Sequence, residues 1–351
     1  VEYYIDNVKN ALMTETDKAA FGSEINSYKD KCPTGYALEK TENLPLTIGV
    51  NESENVIKVF YKKNVFDLTI HYVYAEGGTA ADDHTESVTF NDPYNVTSPT
   101  INGYTADKTV VSGTMPANNV EVTVTYTKRS DLSYTVHYYW NDKTTLLNSK
   151  TVNDQTFNAS VTESPIAIEG YTAVSNASQT ITIGTGTNEI NFYYYKNVEL
   201  TANSGTATYD GNEHSVSGFT GAPADADFSA ITVGAKGTEA DTYPASFADG
   251  IVGTVDATEK YIVTAANDGA LVITPVEEVI VTITGHNDSV KYDGATHTVD
   301  GYDVAIDNEL YTEQDFTFSG SSTVSGTNAK TSYEMGLKAG DFTNNSKNFT
   351  N

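Results

Sequence analysis

The sequence predicts a mainly β protein laid out as an elongated tandem array of small β-rich domains, and two observations carry that prediction. The first is alternation. In "VEVTVTY", Val120, Val122, Val124 and Tyr126 share one face of an extended strand while Glu121, Thr123 and Thr125 take the other, the period of two expected of a half-buried strand. The second is recurrence. Tyr61, Tyr126 and Tyr194, each close to the end of such a stretch, stand 65 and 68 residues apart. Tyr36, Tyr104 and Tyr171, each preceded by Gly, follow at 68 and 67, and the opening tyrosines Tyr4, Tyr72 and Tyr138 at 68 and 66. Three markers on one period divide residues 1–197 into three repeats, 1–64, 65–129 and 130–197.

Each repeat opens and closes on a strand. In the closing strand of the third, "INFYYYKN", alternation sends Ile190, Phe192 and Tyr194 inward and Tyr193 and Tyr195 outward. An inward tyrosine offers a large apolar ring whose hydroxyl still reaches a partner at the core edge. The outward pair reads either as packing against a cross-strand neighbour or as a ligand-facing aromatic patch. The Gly-Tyr tyrosines are expected to be equivalent core positions. In the first repeat, "TETDKAAFGSEINSYKDKC" is expected to include a short helical turn.

After Asn197 the markers change. "ATYDGNEHSVSGF" and "VKYDGATHTVDGY" place Tyr209 and Tyr292 83 residues apart, which defines two further domains, 198–275 and 276–351. Asp-Gly between alternating segments predicts a hairpin in each, because Gly tolerates φ > 0. The fourth domain closes with "YIVTAANDGALVITP", a strand, a turn at Asn267–Gly269 and a final strand. The fifth reaches "SKNFTN" with no counterpart to "NDGALVITP" and reads as C-terminally truncated.

The formal charge of −27 argues against nucleic acid or an anionic membrane surface as partner, since both repel an acidic chain. It fits a solvated, exposed protein. The single cysteine, Cys32, forbids an intrachain disulfide. No signal peptide, membrane-length apolar run or wall-sorting motif is legible, so the chain reads as a piece of a longer protein.

Catalytic constellations are missing: there is no phosphate loop, paired-Cys motif or nucleophile elbow. His71 and His137 share one strand position, with Tyr3 read at that place in the first repeat, which suits aromatic packing. His214 and His297 each follow an Asp by four residues (Asp210, Asp293), and two ligands make a poor metal site without recruits. Asp82-Asp83, Asp225–Asp227 and Glu277-Glu278 are the acidic clusters that could take calcium through oxygen ligands, though none has calcium-loop spacing. No other cofactor is expected.

Residues 1–197 resemble the MucBP-type repeats of Gram-positive surface proteins, in the order "YTVHYYWNDKTTLLNSKTV", "IEGYTAVSNASQTITI" and "INFYYYK". "SGTMPANNVEVTVTYTK" in the second is similar to the closing segment of Listeria-Bacteroides-type repeats, a β-grasp-like family. Residues 198–351 look like MBG-type domains, of β-sandwich or β-grasp-like fold, that carry a Tyr-Asp-Gly motif. The resemblance implies a non-enzymatic, extracellular, cell-wall-attached adhesin segment, with signal peptide and anchor elsewhere, and a host mucin, glycan or extracellular protein as partner. A monomer without membrane insertion is expected. The candidate ligand-binding residues are Tyr139, Trp140, Tyr193 and Tyr195. The alternative is a passive stalk that projects another module from the wall.

Overall fold

The structure is a computed structural model that describes residues 1–350. It is built from strands: the only helical pieces among the described residues are the 3-10 turns Glu52–Glu54, Glu313–Asp315 and Ala339–Asp341. The chain divides into two compact units. One comprises Val1–Val136, Lys150–Glu163 and Gln179–Ile190; the other comprises His137–Ser149, Ser164–Ser178 and the chain from Asn191 onward. The division passes through the third repeat.

In the first unit the second repeat shows the plan. Its four-stranded sheet has the order Tyr104–Ala106, Val120–Lys128, Val65–Tyr74, Thr79–Thr89. The opening and closing strands lie side by side and parallel at its centre, with Tyr72 opposite Val124. A parallel pair needs a long crossover to return the chain to the same end of the sheet. Here the crossover carries an antiparallel ribbon, Pro93–Thr97 with Val110–Thr114, instead of an α-helix. Val111 and Met115 from its end join Leu68, Ile70, Tyr72, Val124 and Tyr126 in the buried core.

The first repeat has the same parallel centre, Glu2–Ile5 with Lys58–Lys63, but its register corrects one sequence marker. Tyr3 pairs with Val59 and is fully buried, whereas Tyr4 turns outward and stacks on Phe60 at 4.6 Å. Tyr3, not Tyr4, is therefore the counterpart of Tyr72, and Glu2 holds the position of His71. Adjacent tyrosines make the slip invisible in sequence, and with a period of two a one-residue slip exchanges the faces. The expected helical turn between residues 14 and 32 is also replaced. That segment is a loop with one short strand, Glu24–Ile25, tied down by core tyrosines: the Tyr3 hydroxyl donates to the Lys29 carbonyl and that of Tyr61 to Asp30, both at 2.5 Å.

The closing tyrosines recur in that role. Tyr61, Tyr126 and Tyr194 are each 1% exposed, and each hydroxyl reaches the loop ahead of its own Gly-Tyr pair, at Asp30, the Pro99 carbonyl (2.5 Å) and the Ile166 carbonyl (2.8 Å). A buried hydroxyl must find such an acceptor, which explains Tyr over Phe.

The Gly-Tyr tyrosines are not core residues. Tyr36, Tyr104 and Tyr171 are half-buried, while Gly35 and Gly103 before two of them are buried. Both glycines have left-handed φ, +85° and +82°, and the ring of Phe90 or Phe157, from the following repeat, occupies the space where a Cβ would stand. The backbone beside each ring is equivalent as well: Asn64 N–H donates to the Gly35 carbonyl and Phe90 N–H to that of Asn64, as do Arg129 to Gly103 and Phe157 to Arg129. Gly170 has the same φ sign, +77°, but nothing within 4 Å of its Cβ position.

In the second unit one strand, Glu189–Ala202, serves two partners without a linker. It pairs antiparallel with Tyr171–Ala173 and then parallel with Tyr261–Asn267, beginning at Lys196 opposite Tyr261. Beyond it, Gly269–Thr274 is the middle strand between Gly205–Thr208, parallel, and Asp241–Ala245, antiparallel. Val198, Leu200, Phe228, Tyr261 and Val263 form the adjacent core. The Asp-Gly hairpin expectation is corrected here. The strands flanking Asp210-Gly211 pair elsewhere, Gly205–Thr208 with Gly269–Thr274 and His214–Ser217 with Gly234–Gly237. The Asp210 carboxylate accepts from the Asn212 N–H, an Asx turn that carries the chain from one sheet to another. Residues 276–350 contain only two-stranded pairings, Val281–Gly285 with Tyr302–Ile306, His297–Asp300 with Thr323–Gly326, and Phe316–Phe318 with Phe342–Asn344.

The packing at the glycines separates two substitutions that look alike in sequence. Gly170→Ala adds a side chain in open space at positive φ and should cost about 1–2 kcal/mol. Gly103→Ala should cost a further ~1–3 kcal/mol, because the Phe157 ring must move. Equal losses in denaturant titrations of the two variants would refute the ring-on-glycine contact.

Candidate functional site

The third repeat carries a row of aromatic side chains that the second lacks. Strand alternation builds it: on the opening strand Tyr138 is buried and Tyr139 faces out, and on the closing strand Phe192 and Tyr194 are buried while Tyr193 and Tyr195 face out. Tyr139 and Tyr193 meet across the strands, ring centroids 6.0 Å apart and planes within 25°. His137 continues the row, 5.6 Å from Tyr139. Tyr195 lies two residues beyond Tyr193 on the same face, opposite Thr172. All three tyrosines are half-buried, so their edges are supported and part of each ring meets solvent. The matching positions of the second repeat are Val73, Thr125 and Thr127, as the pairing of Val73 with Thr125 and of Tyr72 with Val124 fixes.

Trp140 is not brought to this row. It faces the other way, where its Nε1–H donates to the Lys260 carbonyl at 2.9 Å and its ring meets Tyr261 edge-on at 5.6 Å. The Lys260 ammonium stands 5.9 Å from the indole. Trp140 thereby joins the rim of the core around Val198 and Leu200. Its counterpart in the second repeat, Tyr74, packs on Tyr104 at 4.6 Å.

The acidic and histidine candidates are engaged by protein groups. Asp225 accepts from the Tyr261 hydroxyl at 2.6 Å and from Lys260, and the first of these holds its carboxyl below the usual range. Asp227 accepts from the Ser229 N–H. Asp83 faces His71 Nδ1 at 2.8 Å. Asp210 and Asp293 contact His214 and His297 at 2.9 and 3.0 Å, and each also accepts a backbone N–H two residues on. Among the described residues no three His, Cys, Asp or Glu side chains converge as a metal site would require. No helix of the structure is long and apolar enough to cross a membrane.

The order of parallel centre, ribbon and Gly-Tyr strand finds its match in a known family: residues 67–127 and 134–195 each fit the MucBP domain. These two stretches are MucBP repeats. Internalin J of Listeria monocytogenes serovar 1/2a is 30% identical over 174 residues, 47% of this chain and 20% of that protein, so the chain spans about one fifth of that relative. Internalin J of serotype 4b is 29% identical over 37% of this chain and 15% of that protein. Among solved structures, the type 2 repeat of the mucus binding protein MUB from Lactobacillus reuteri aligns over 36% of this chain and 97% of its own, at 21% identity and a TM-score of 0.18. The Bacillus anthracis TIE protein aligns over 62% and 52%, at 12% identity and a TM-score of 0.30.

Two features of the MucBP repeats escaped the sequence reading. The Phe90 and Phe157 contacts were signalled by "TFN", which recurs 67 residues apart, and the separation of Trp140 from the tyrosine row followed from alternation alone.

Tyr261, beneath Trp140, offers a check on this packing. Burial, and then the Asp225 carboxylate beside it, push its phenol up to about 12. An unfolded tyrosine ionises near ~10, so between these values the unfolded chain releases the proton first and stability is lost as pH rises. NMR titration should place the Tyr261 midpoint well above that of an exposed tyrosine, and Tyr261→Phe should soften the alkaline loss of stability. A Tyr261 midpoint near the ordinary value would contradict the geometry.

Proposed function

We propose that this chain is a non-enzymatic segment of an extracellular surface adhesin, attached to a Gram-positive cell wall, that binds a host or matrix glycoprotein through the outward aromatic row of its third repeat. Tyr139, Tyr193 and Tyr195 make the contact, with Trp140 bracing the strand behind them. The observation that carries this reading is the row itself: side-by-side tyrosines on the rigid centre of a sheet, at positions where the neighbouring MucBP repeat has Val and Thr. Tyrosine rings offer large contact area with few rotamers to fix, and their faces suit the apolar faces of sugar rings. The MucBP match and the internalin relatives support the surface assignment, and the charge of −27 suits a solvated exterior. Within this reading, residues 1–64 form a third, divergent repeat and residues 198–351 are MBG-type domains.

A second reading is favoured by the absence of linkers. Phe90 and Phe157 seat on glycines of the preceding repeat, and Glu189–Ala202 passes without interruption between two pairings. Such joints suit a spacer that holds another module away from the wall.

Binding to immobilised mucin and to a glycan array separates the two. The adhesin reading expects measurable binding by the wild-type chain and a loss of about tenfold for Tyr193→Ala, the effect of one well-packed ring, with Tyr139→Ala similar. Binding that both variants retain in full would remove the row from the interface, and no binding by the wild-type chain to any of these ligands would leave the spacer.

A further inference from the structure

Residues 276–350 repeat the preceding domain strand for strand until the point where a pair of strands is missing. The correspondence is dense. His297 matches His214, Tyr311 matches Phe228, and Gly326 and Tyr333 match Gly237 and Tyr243, with the tyrosine ring occupying the Cβ position of the glycine in both domains. Asn344 takes the place of Asp256: each binds the backbone of the turn that follows it, Asn344 through the Ser346 N–H and Phe349 carbonyl, Asp256 through the Thr258 and Tyr261 N–H groups. Phe349 then stands where Tyr261 does. The parallel ladder that runs from Tyr261 to Asn267 in one domain has one rung in the other, Val276 opposite Phe349.

The consequence is visible in the neighbours of the missing strands. Gly205–Thr208 and Asp241–Ala245 are strands because both pair with Gly269–Thr274 between them. Their counterparts, residues 288–291 and 331–335, form no strand. Between them lies a groove of about 660 Å³, lined by Ser289, Val290, Tyr333 and Met335 among others. A second groove, of about 470 Å³, lies where Tyr261–Asn267 would run, lined by Val281, Ile283, Tyr311, Phe316 and Phe342. Val290 and Tyr292 are 52% and 69% exposed, whereas the strands that fill the equivalent spaces bury Val263, Leu271 and Ile273 to 1–3%.

We propose that the two grooves are one acceptor site for a β-strand pair. Its occupant is a peptide segment of the Tyr261–Thr274 pattern: an extended stretch with apolar side chains at alternate positions, a tight Asx-Gly turn, and a second such stretch. The first stretch extends the ladder begun at Val276 and Phe349. The second lies between residues 288–291 and 331–335, supplies the N–H and C=O partners both lack, and places its apolar side chains into the groove. Recognition is by backbone pairing, with alternate side chains setting register. This site stands apart from the aromatic row and does not depend on it.

The test uses the whole chain with a peptide of residues 261–275 added in trans, and a second form in which the same sequence follows Asn351. The readout is amide hydrogen exchange at residues 288–291 and 331–335. The proposal expects exchange there to slow by about tenfold or more in at least one arm, with no change when the peptide carries Asp at the positions of Val263, Leu271 and Ile273. Unchanged exchange in both arms overturns it, as does equal protection by the Asp-bearing peptide. Protection that grows with protein concentration in the absence of any peptide would assign the grooves to a second copy and overturn the strand-pair occupant.

Discussion

The parallel pairing of a domain's opening strand with its closing strand is the constraint on which the structure depends. Val65–Tyr74 with Val120–Lys128, Glu2–Ile5 with Lys58–Lys63, and the end of Glu189–Ala202 with Tyr261–Asn267 are three instances. A parallel pair cannot close through a tight turn, so everything between its strands becomes a crossover that must return over one face. That requirement places the ribbon at Pro93–Thr97 and Val110–Thr114 over the sheet, and it makes the closing strand the last element to complete the core. A domain without its closing strand has lost the centre of its sheet, which is why residues 276–350 contain only paired fragments.

The closing strand also explains the tyrosines. At Tyr61, Tyr126 and Tyr194 the ring fills the core while the hydroxyl crosses to a loop acceptor, so one residue type seals the core and fixes the crossover. Burial of the ring supplies most of the stabilisation, and the hydroxyl decides where the loop sits. The glycine of each Gly-Tyr pair has a separate task. At Gly35 and Gly103 a positive φ and a missing side chain admit the ring of Phe90 or Phe157, so successive repeats join by packing. The third repeat departs from this pattern on both counts, with Gly170 open and its strand faces rich in aromatics.

Strand positions, the period of the repeats and the inward tyrosines were legible in the sequence because alternation and recurrence are properties of the chain read locally. The outward setting of Tyr139, Tyr193 and Tyr195 was legible for the same reason. What failed were inferences about pairing. Asp210-Gly211 reads as a hairpin turn, yet its two flanking strands join different sheets, because a turn signal records that the chain bends and not which strand it then meets. Tyr3 and Tyr4 could each have filled the core slot until Val59 across the sheet fixed the register.

By itself, then, the sequence determined which segments extend, which face of each is apolar, and that the unit recurs. Those follow from the two-residue period of a strand and from the conformational demands of Gly and Asp. Only the tertiary structure decided which strands lie side by side, that Trp140 braces Tyr261 while its neighbour Tyr139 joins Tyr193, and that two grooves stand open in the last domain. Each of these depends on residues far apart in the chain being brought to one place, and no local pattern specifies which partner a strand edge will find.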